Sequence, residues 1–362
     1  MKLTRFVKSA ALLVGIFLVL QPGMAQMRQR IVSPEVGNDG MVTFRFYAPQ
    51  AHMVCLSVEY FDGLRPLRRG DDGVWSITLG PFEPELYSYN FVVDGVSTVD
   101  PRNPVIKIGT GTTQSLLDIP GDPPLFYDEK PAVPRGVVHL HRYDSETLGT
   151  IRGLNVYTPP GYTEDREDAY SVLYLLHGAG DNERGWSTIG RANVILDNLI
   201  FEKKAVPMIV VMPDGHAPRV EGVENPFGED LVKSIIPFIE NNYHVKKGSH
   251  FRALAGLSMG GFQTLDIGIR RSDLFSWIGV FSAGINENYE KTHGGFLDSV
   301  NEKLELFWVA IGKTDFLRER NENLLKLLQA KGVRHTFITS EGGHTWKNWR
   351  SYLHEFAQLL FR

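Results

Sequence analysis

The sequence predicts an α/β fold, a mostly parallel eight-stranded sheet, preceded by a small all-β sandwich. Two patterns carry this. Residues 29–118 alternate apolar and polar side chains in short runs, whereas after residue 136 near-continuous apolar runs alternate with longer helical periods. Between them lie Pro120, Pro123, Pro124, Pro131 and Pro134, each of which fixes φ and removes a backbone donor. That stretch is expected to be a stiff, extended connector.

In the first region Val42, Phe44 and Phe46 alternate with Thr43, Arg45 and Tyr47, the period of a half-buried strand. Similar runs follow at Met53–Tyr60, Val74–Leu79 and Leu86–Val93. Asp62-Gly63, Asp72-Gly73 and Asp94-Gly95 punctuate them with hairpin-type turns. A sandwich of immunoglobulin-like size is expected over residues 27–118, with a proline-rich linker over 119–136.

The remaining residues, 137–362, are expected to form one large domain. Its strands are predicted at Val137–His141, Leu154–Thr158, Val172–Leu176, Met208–Met212, Ala253–Leu257, Trp277–Phe281, Leu306–Ile311 and Thr336–Thr339. Helical patterns fall between them, as at Glu229–Asn241 and Glu322–Lys331, and Ser351–Phe361 is expected as the closing amphipathic helix. Alternation of this kind is the mark of a mainly parallel sheet.

The chain has 362 residues, with 38 Lys+Arg against 42 Asp+Glu and a net charge of -4. That balance leaves no electrostatic footprint for nucleic acid. The single cysteine, Cys55, excludes an internal disulfide framework or a thiolate zinc site and is expected to be buried in a strand. At the N-terminus, Lys2, Arg5 and Lys8 precede an apolar run from Ala10 to Leu20, and Gly23-Met24-Ala25 supplies small residues before Gln26. This is the order of a secretory signal peptide over residues 1–25. The run is too short to span a bilayer, which takes roughly 20 residues. The expected product is secreted or periplasmic, with no stable membrane insertion after cleavage.

The most informative segment is Gly256-Leu257-Ser258-Met259-Gly260-Gly261, between the apolar run 251–255 and the helical stretch 262–270. Gly-x-Ser-x-Gly between strand and helix is a nucleophile elbow. A serine nucleophile needs a base, and the base an orienting acid. His344 follows the last predicted strand and Asp315 the one before it, so the chain order Ser258, Asp315, His344 is that of the α/β-hydrolase triad. An aspartate after a strand is also a good helix cap, which is the plain alternative for Asp315. Asp273, Asp298 and His335 fit these roles less well, being off the strand ends or inside a strand. Leu176-His177-Gly178-Ala179 ends another strand, where this fold builds its oxyanion loop. The donors are assigned to the backbone N–H groups of Met259 and Ala179, with Gly178 permitting close approach and His177 structural. Trp186 is a substrate-pocket candidate, while Trp346 and Trp349 are expected to pack on the last helix's inner face. No H-E-x-x-H and no dinucleotide-binding G-x-G-x-x-G appears, so no metal and no cofactor is expected. His139 and His141 read as solvent-facing strand residues.

With these residues in hand, the region from Gly136 to Phe361 resembles the esterase D or putative esterase family. That family includes feruloyl and acetyl-xylan esterases of carbohydrate esterase family one, siderophore esterases and mycolyltransferases. The resemblance rests on Leu154-Asn155-Val156-Tyr157-Thr158-Pro159-Pro160-Gly161-Tyr162, Tyr174-Leu175-Leu176-His177-Gly178, Gly256–Gly261 and Gly343-His344-Thr345-Trp346. It implies the same catalytic residues, Ser258, Asp315 and His344. The N-terminal region is similar to early-set immunoglobulin-like modules of glycan-active enzymes, through Val42–Pro49, Gly73-Val74-Trp75 and Tyr89–Gly95. Where glucan-binding relatives often carry a tryptophan after the Asp-Gly turn, Leu64 stands here, so docking or substrate covering is an equal expectation. Together the resemblances imply an exported serine carboxylesterase acting on an acylated oligosaccharide or polysaccharide, feruloyl-arabinoxylan fragments first. Acetyl-xylan esterase, siderophore (catecholate triester) esterase, acyltransferase and noncatalytic glycan-binding protein stand as alternatives.

Overall fold

In the computed structural model, which describes residues 31–362, two small sheets with interleaved strands precede one large sheet along the chain. The expected signal peptide lies outside the described residues. Ten strands make up the N-terminal all-β region: β1 (Glu35–Val36), β2 (Val42–Tyr47), β3 (Val54–Val58), β4 (Arg65–Pro66), β5 (Arg68–Arg69), β6 (Val74–Leu79), β7 (Glu85–Val93), β8 (Val96–Thr98), β9 (Ile106–Ile108) and β10 (Thr113–Ile119). They form one sheet in the order β1-β2-β6-β5 and another in the order β4-β3-β7-β10-β9, with β8 on β7. The core between them is aromatic, with Phe44, Trp75, Tyr89 and Phe91 buried. Cys55 is buried in β3. At Asp94-Gly95 both residues take positive φ, 46° and 88°, as the tight β7–β8 turn requires.

All eight expected strands of the second region are present, β16 with the expected bounds and the others longer by one to four residues: β11 (Val137–Ser145), β12 (Thr150–Thr158), β13 (Ser171–Leu176), β14 (Met208–Pro213), β15 (Arg252–Leu257), β16 (Trp277–Phe281), β17 (Leu306–Gly312) and β18 (Thr336–Ser340). The sheet is mixed, in the order β11-β12-β14-β13-β15-β16-β17-β18. The pairings of β12 with β11 and with β14 are antiparallel and the others parallel. Its central strands are buried along their whole length, which is why they read as unbroken apolar runs. Helices α1 (Ala192–Phe201), α2 (Pro226–Asp230), α3 (Ile236–Asn242), α4 (Met259–Arg270), α5 (Tyr289–Leu297), α6 (Val300–Lys303), α7 (Arg318–Ala330) and α8 (Trp346–Ala357) accompany it. None of the helices among the described residues is long and apolar enough to cross a membrane.

Three expectations need correction. The helix expected at 229–241 is α2 and α3 joined through a π-helical turn at Leu231–Ile235. Pro237 has no N–H to close the regular ladder there, and the wider turn absorbs the break. The closing helix starts at Trp346, five residues earlier than expected, because a short turn that includes Gly342, with φ of 82°, leads from β18 directly into it. The connector is not extended. Asp128 accepts from the Gly121 and Leu125 N–H groups, Asn198 of α1 donates to the Phe126 and Asp128 carbonyls, and Tyr127 is buried.

The all-β region also shares core with the large sheet: Leu86 and Leu116 pack in the same cluster as Leu175, Ile195 and Leu353. Glu85 on β7 pairs with Arg350 of α8, both essentially inaccessible to solvent. Tyr127 OH donates to the same Glu85 carboxylate at 2.8 Å, and Arg350 also donates to the Ile189 carbonyl at 2.7 Å. Val32–Arg362 accordingly form one compact unit.

Candidate active site

Ser258 occupies the turn between β15 and α4 with φ of 52° and ψ of -114°. That conformation is strained for a residue with a side chain and persists only where the surroundings over-determine it. Two backbone bonds do so: Ser258 N–H donates to Phe281 O at 2.9 Å, and Gly260 N–H to His177 O at 3.1 Å. The flanking glycines are required by space. A Cβ on Gly256 would lie 2.4 Å from Gly260 O, and one on Gly260 would lie 2.7 Å from His177 O. Met259 is the first residue of α4, so its N–H is one of the helix's donors without an intrahelical acceptor.

His344 lies in the β18–α8 loop and Asp315 in the β17–α7 loop. The His344 Nδ1 is 3.0 Å and 3.1 Å from the two Asp315 oxygens. Asp315 Oδ1 also accepts the Leu317 N–H at 2.9 Å, so the carboxylate orients histidine and turn together. Burial pushes the Asp315 carboxyl up, but hydrogen bonds from His344, Leu317 N–H and Ser282 outweigh it and hold it below its ordinary value. The His344 ring sits between Phe316, at 4.4 Å between centroids, and Trp349, at 4.9 Å and nearly perpendicular. Trp349 in turn donates its indole N–H to Ser282 Oγ at 2.9 Å.

Ser258 and His344 open into one cleft of about 760 Å³. One part of its lining is apolar: Leu257, Phe316, Trp346 and Trp349. The all-β region also lines it, with polar Ser57, Glu59, Ser88, Asn90 and Gln114 and apolar Val58, Leu64 and Val92. Phe316 is 74 % exposed, an aromatic face offered to solvent beside the histidine. Trp346 and Trp349 therefore pack on α8 and line the cleft as well. Trp186 does not line it. It is 1 % exposed, donates its indole N–H to Leu176 O and meets Trp346 edge-on from behind at 5.1 Å. The alternation of Ser88 and Asn90 on one face of β7 was the available signal for the polar wall. Nothing local tied that face to a serine far along the chain.

The segment after β13 carries Gly178, Ala179, Gly180 and Asp181, all in the cleft lining. A Cβ on Gly178 would come within 2.7 Å of Leu257 Cδ1 and 3.4 Å of Ser258 Cβ, so this loop lies directly against the elbow. His177 is buried beneath it. Its Nε2 accepts the Gly215 N–H at 2.8 Å, which leaves Nδ1–H to donate to Gly178 O at 2.8 Å. His177, Asp214 and His216 bring donor atoms within 4.8 Å of one another. Both imidazoles are already committed to backbone, His216 Nε2 reaching Ala179 O at 3.0 Å, so the cluster reads as loop support rather than a cation site. The other acidic and histidine candidates stand apart: Asp273 pairs with Arg271, Asp298 with Lys331, and His335 Nδ1 contacts Val333 O. His139 and His141 are half-buried, not solvent-facing. They bond Thr158 Oγ1 and Tyr243 OH, since α3 covers that side of β11.

Ser258, in its strained strand–helix turn, and the His344–Asp315 pair line one cleft above a mixed α/β sheet, an arrangement that fits the class of ester hydrolases. A family model described as putative esterase matches residues 145–359, more than half of the chain, and the chain belongs to that family. A relative from Xylanibacter ruminicola, named endo-1,4-beta-xylanase/feruloyl esterase, is 32% identical over 344 residues. The match covers 91% of this chain and 46% of that protein, so the chain spans about half the relative's length. An acetyl esterase from Caldicellulosiruptor saccharolyticus is 24% identical over 219 residues, 50% of this chain and 80% of its own. Among solved structures, a CE1 ferulic acid esterase from Anaeromyces mucronatus superposes with a TM-score of 0.57 at 26% identity, covering 65% of this chain and 94% of its own. The enterochelin esterase of Shigella flexneri gives 0.65 at 18% identity over 94% of this chain and 98% of its own, a likeness of fold alone.

Proposed function

We propose that the chain is an exported serine carboxylesterase that removes feruloyl groups from plant cell-wall polysaccharide fragments such as feruloylated arabinoxylan. The observation that carries this is the mixed lining of the cleft: aromatic rings against His344, suited to a planar acyl ring, and hydroxyl and amide side chains of the all-β region, suited to sugar hydroxyls. In this reading residues 1–25 are a cleaved signal peptide and residues 27–118 an early-set module that covers the sugar side. The relatives whose names include feruloyl esterase and xylanase support the same choice.

In the proposed mechanism Ser258 Oγ attacks the ester carbonyl carbon as His344 Nε2 takes its proton. Asp315 holds the imidazole with Nδ1–H toward itself and stabilises the imidazolium. The carbonyl oxygen, now negative, accepts from Met259 N–H and Ala179 N–H. Collapse breaks the bond to the sugar oxygen, which leaves with the proton from His344. Water then attacks the acyl-serine, giving its proton to His344, and the acid departs as Ser258 regains the hydrogen. Each oxyanion donor typically contributes about 10²–10³ in rate.

The alternative of a catecholate-triester esterase draws support from the fold likeness across both regions. Its anionic substrate calls for a basic cleft. Among the described lining residues Lys107 is the lysine, and it is paired with Asp181, while Glu59 adds another negative group. Turnover of methyl ferulate, acetylated xylan and a catecholate triester, compared side by side with Ser258→Ala as control, tests the reading. Dominant turnover of the triester, or substantial hydrolysis by Ser258→Ala, would overturn it.

A further inference from the structure

We propose that the β9–β10 hairpin of the all-β region is a positioning element for the oxyanion loop, so that residues Lys107, Gly109 and Thr110 set the rate of the chemical step. The inference rests on the reading above, in which the Ala179 N–H stabilises the tetrahedral oxygen.

A peptide unit is planar and trans, so its C=O and N–H point in opposite directions. Pinning the carbonyl therefore aims the amide. In the loop 178–181 successive carbonyls are pinned. Gly178 O accepts from His177 Nδ1 at 2.8 Å and from the Asp181 N–H at 3.1 Å, which turns the Ala179 N–H the other way. Ala179 O belongs to the next peptide unit, that of the Gly180 N–H, and accepts from His216 Nε2 and from Thr110 Oγ1, each at 3.0 Å; the hairpin thus fixes the plane that follows Ala179, against which the plane carrying the Ala179 N–H is set. Gly180 O accepts the Thr110 N–H at 3.2 Å. Asp181, which ends the loop, is paired with Lys107 Nζ at 2.7 Å, the two side chains only 6% and 12% exposed. The large sheet thus holds the loop from beneath through two histidines, and the hairpin holds it from the other side.

Gly109 shows how tight this contact is. A Cβ there would lie 2.3 Å from Gly180 O, a backbone atom that cannot swing aside. Its own φ lies outside the left-handed region, so alanine suits the hairpin conformation and conflicts chiefly with the docked loop. A general requirement for a β platform in front of the cleft would not need backbone contact at this point. Aligning the loop does.

The test uses the full chain and p-nitrophenyl acetate, a substrate too small to need the polar wall. Thr110→Val removes one of two bonds on Ala179 O and is expected to lower kcat about tenfold, with KM within about twofold. Thr110→Ser keeps the hydroxyl and should restore it. Gly109→Ala, which displaces the hairpin, should cost on the order of 10² in kcat, the usual penalty for a misplacement near 1 Å. Fluorophosphonate labelling of Ser258 should slow in parallel, because its phosphoryl oxygen uses the same donors, while the acid limb of the kcat/KM–pH profile stays in place because the His344–Asp315 pair is untouched. Thermal melting shows that each variant is folded; should Gly109→Ala melt, the Thr110 pair decides alone. Folded variants that keep wild-type kcat overturn the proposal, as does a Thr110→Ser chain as slow as Thr110→Val. A wild-type chain that neither labels nor turns over ester removes the esterase reading and the inference with it; normal wild-type turnover with unaffected variants removes only the inference.

Discussion

Replacing Asp315 by asparagine should cost more activity than removing its side chain. The reason lies in which oxygen holds which partner. Oδ1 accepts the Leu317 N–H at 2.9 Å, and that backbone donor cannot reorient. An asparagine at 315 must therefore keep its carbonyl oxygen there and place its NH₂ where Oδ2 now meets His344 Nδ1 at 3.0 Å. An NH₂ donor forces Nδ1 to be the acceptor and puts the ring proton on Nε2, facing Ser258. The base then arrives already protonated at the atom that should take the serine hydrogen. A wrong-tautomer histidine of this kind lowers kcat by about 10⁴. Asp315→Ala imposes no tautomer; it forfeits orientation and leaves the Leu317 N–H without its acceptor, which costs roughly 1–3 kcal/mol of stability. The expected order of kcat on p-nitrophenyl acetate is wild type, then Ala, then Asn, with Asn the better folded of the two variants by urea denaturation. Asp315→Asn activity within tenfold of wild type, or above that of Asp315→Ala, would show that this aspartate does not set the tautomer.

Other outcomes follow from the same geometry. Glu85→Gln leaves the Arg350 guanidinium buried with only neutral partners, Ile189 O and the face of Tyr127 at 4.6 Å, and should destabilise the chain by about 3–5 kcal/mol in urea unfolding. Adding Arg350→Met to it should recover much of that loss; a double variant weaker than the single one would contradict the buried-charge argument. Phe316→Ala removes an exposed ring beside His344 and should raise KM for methyl ferulate several-fold while leaving p-nitrophenyl acetate nearly unchanged, as initial-rate kinetics would reveal. Because the native fold holds the Asp315 carboxyl below its ordinary value, its contribution to stability is complete above the unfolded carboxylate pKa of about 3.9 and is lost as pH falls through the lower native one. Melting curves from pH 6 to pH 2 should therefore fall more steeply for wild type than for Asp315→Asn, and parallel slopes would speak against the depressed carboxyl.

The strands of the large sheet were legible because both of its faces are covered, and covering both faces writes a strand as an unbroken apolar run such as Met208–Met212 or Trp277–Phe281. The elbow was legible partly for a local reason: a Cβ on Gly256 would meet Gly260 O, four residues on, whereas the crowding at Gly260 comes from the distant Leu176 and His177. What could not be read depends on contacts between distant segments. Trp186 stands near the cleft in sequence yet faces backwards, because its indole N–H finds the Leu176 carbonyl. Trp346 and Trp349 have helical spacing that suits packing and cleft lining equally. Ser88, Asn90 and Gln114 read simply as the wet face of a sheet, and only the docking of that sheet makes them a wall of the site. The connector's prolines do constrain its backbone, but Asn198 and Asp128 fold the segment onto α1, which composition alone could not anticipate.

The buried Glu85–Arg350 pair bears on why the two regions act together. A well-packed apolar pair at that place would hold β7 against α8 at least as firmly, since the desolvation of two charges offsets most of their attraction. What the charged pair adds is direction. Glu85 receives hydrogen bonds from Tyr127 OH, the Leu86 N–H and Arg350, and Arg350 is also committed to Ile189 O. A sliding apolar contact tolerates a shift of an ångström; this network breaks at least one strong bond for the same shift. The residues it ties in register are those that carry the cleft: α8 bears Trp346 and Trp349, Ile189 lines the cleft beside the elbow, and β7 continues into the polar wall. A device that fixes register fits an enzyme whose loop 178–181, the proposed oxyanion loop, is gripped from both regions, because a misplaced hairpin would leave the fold intact and the proposed chemistry slow.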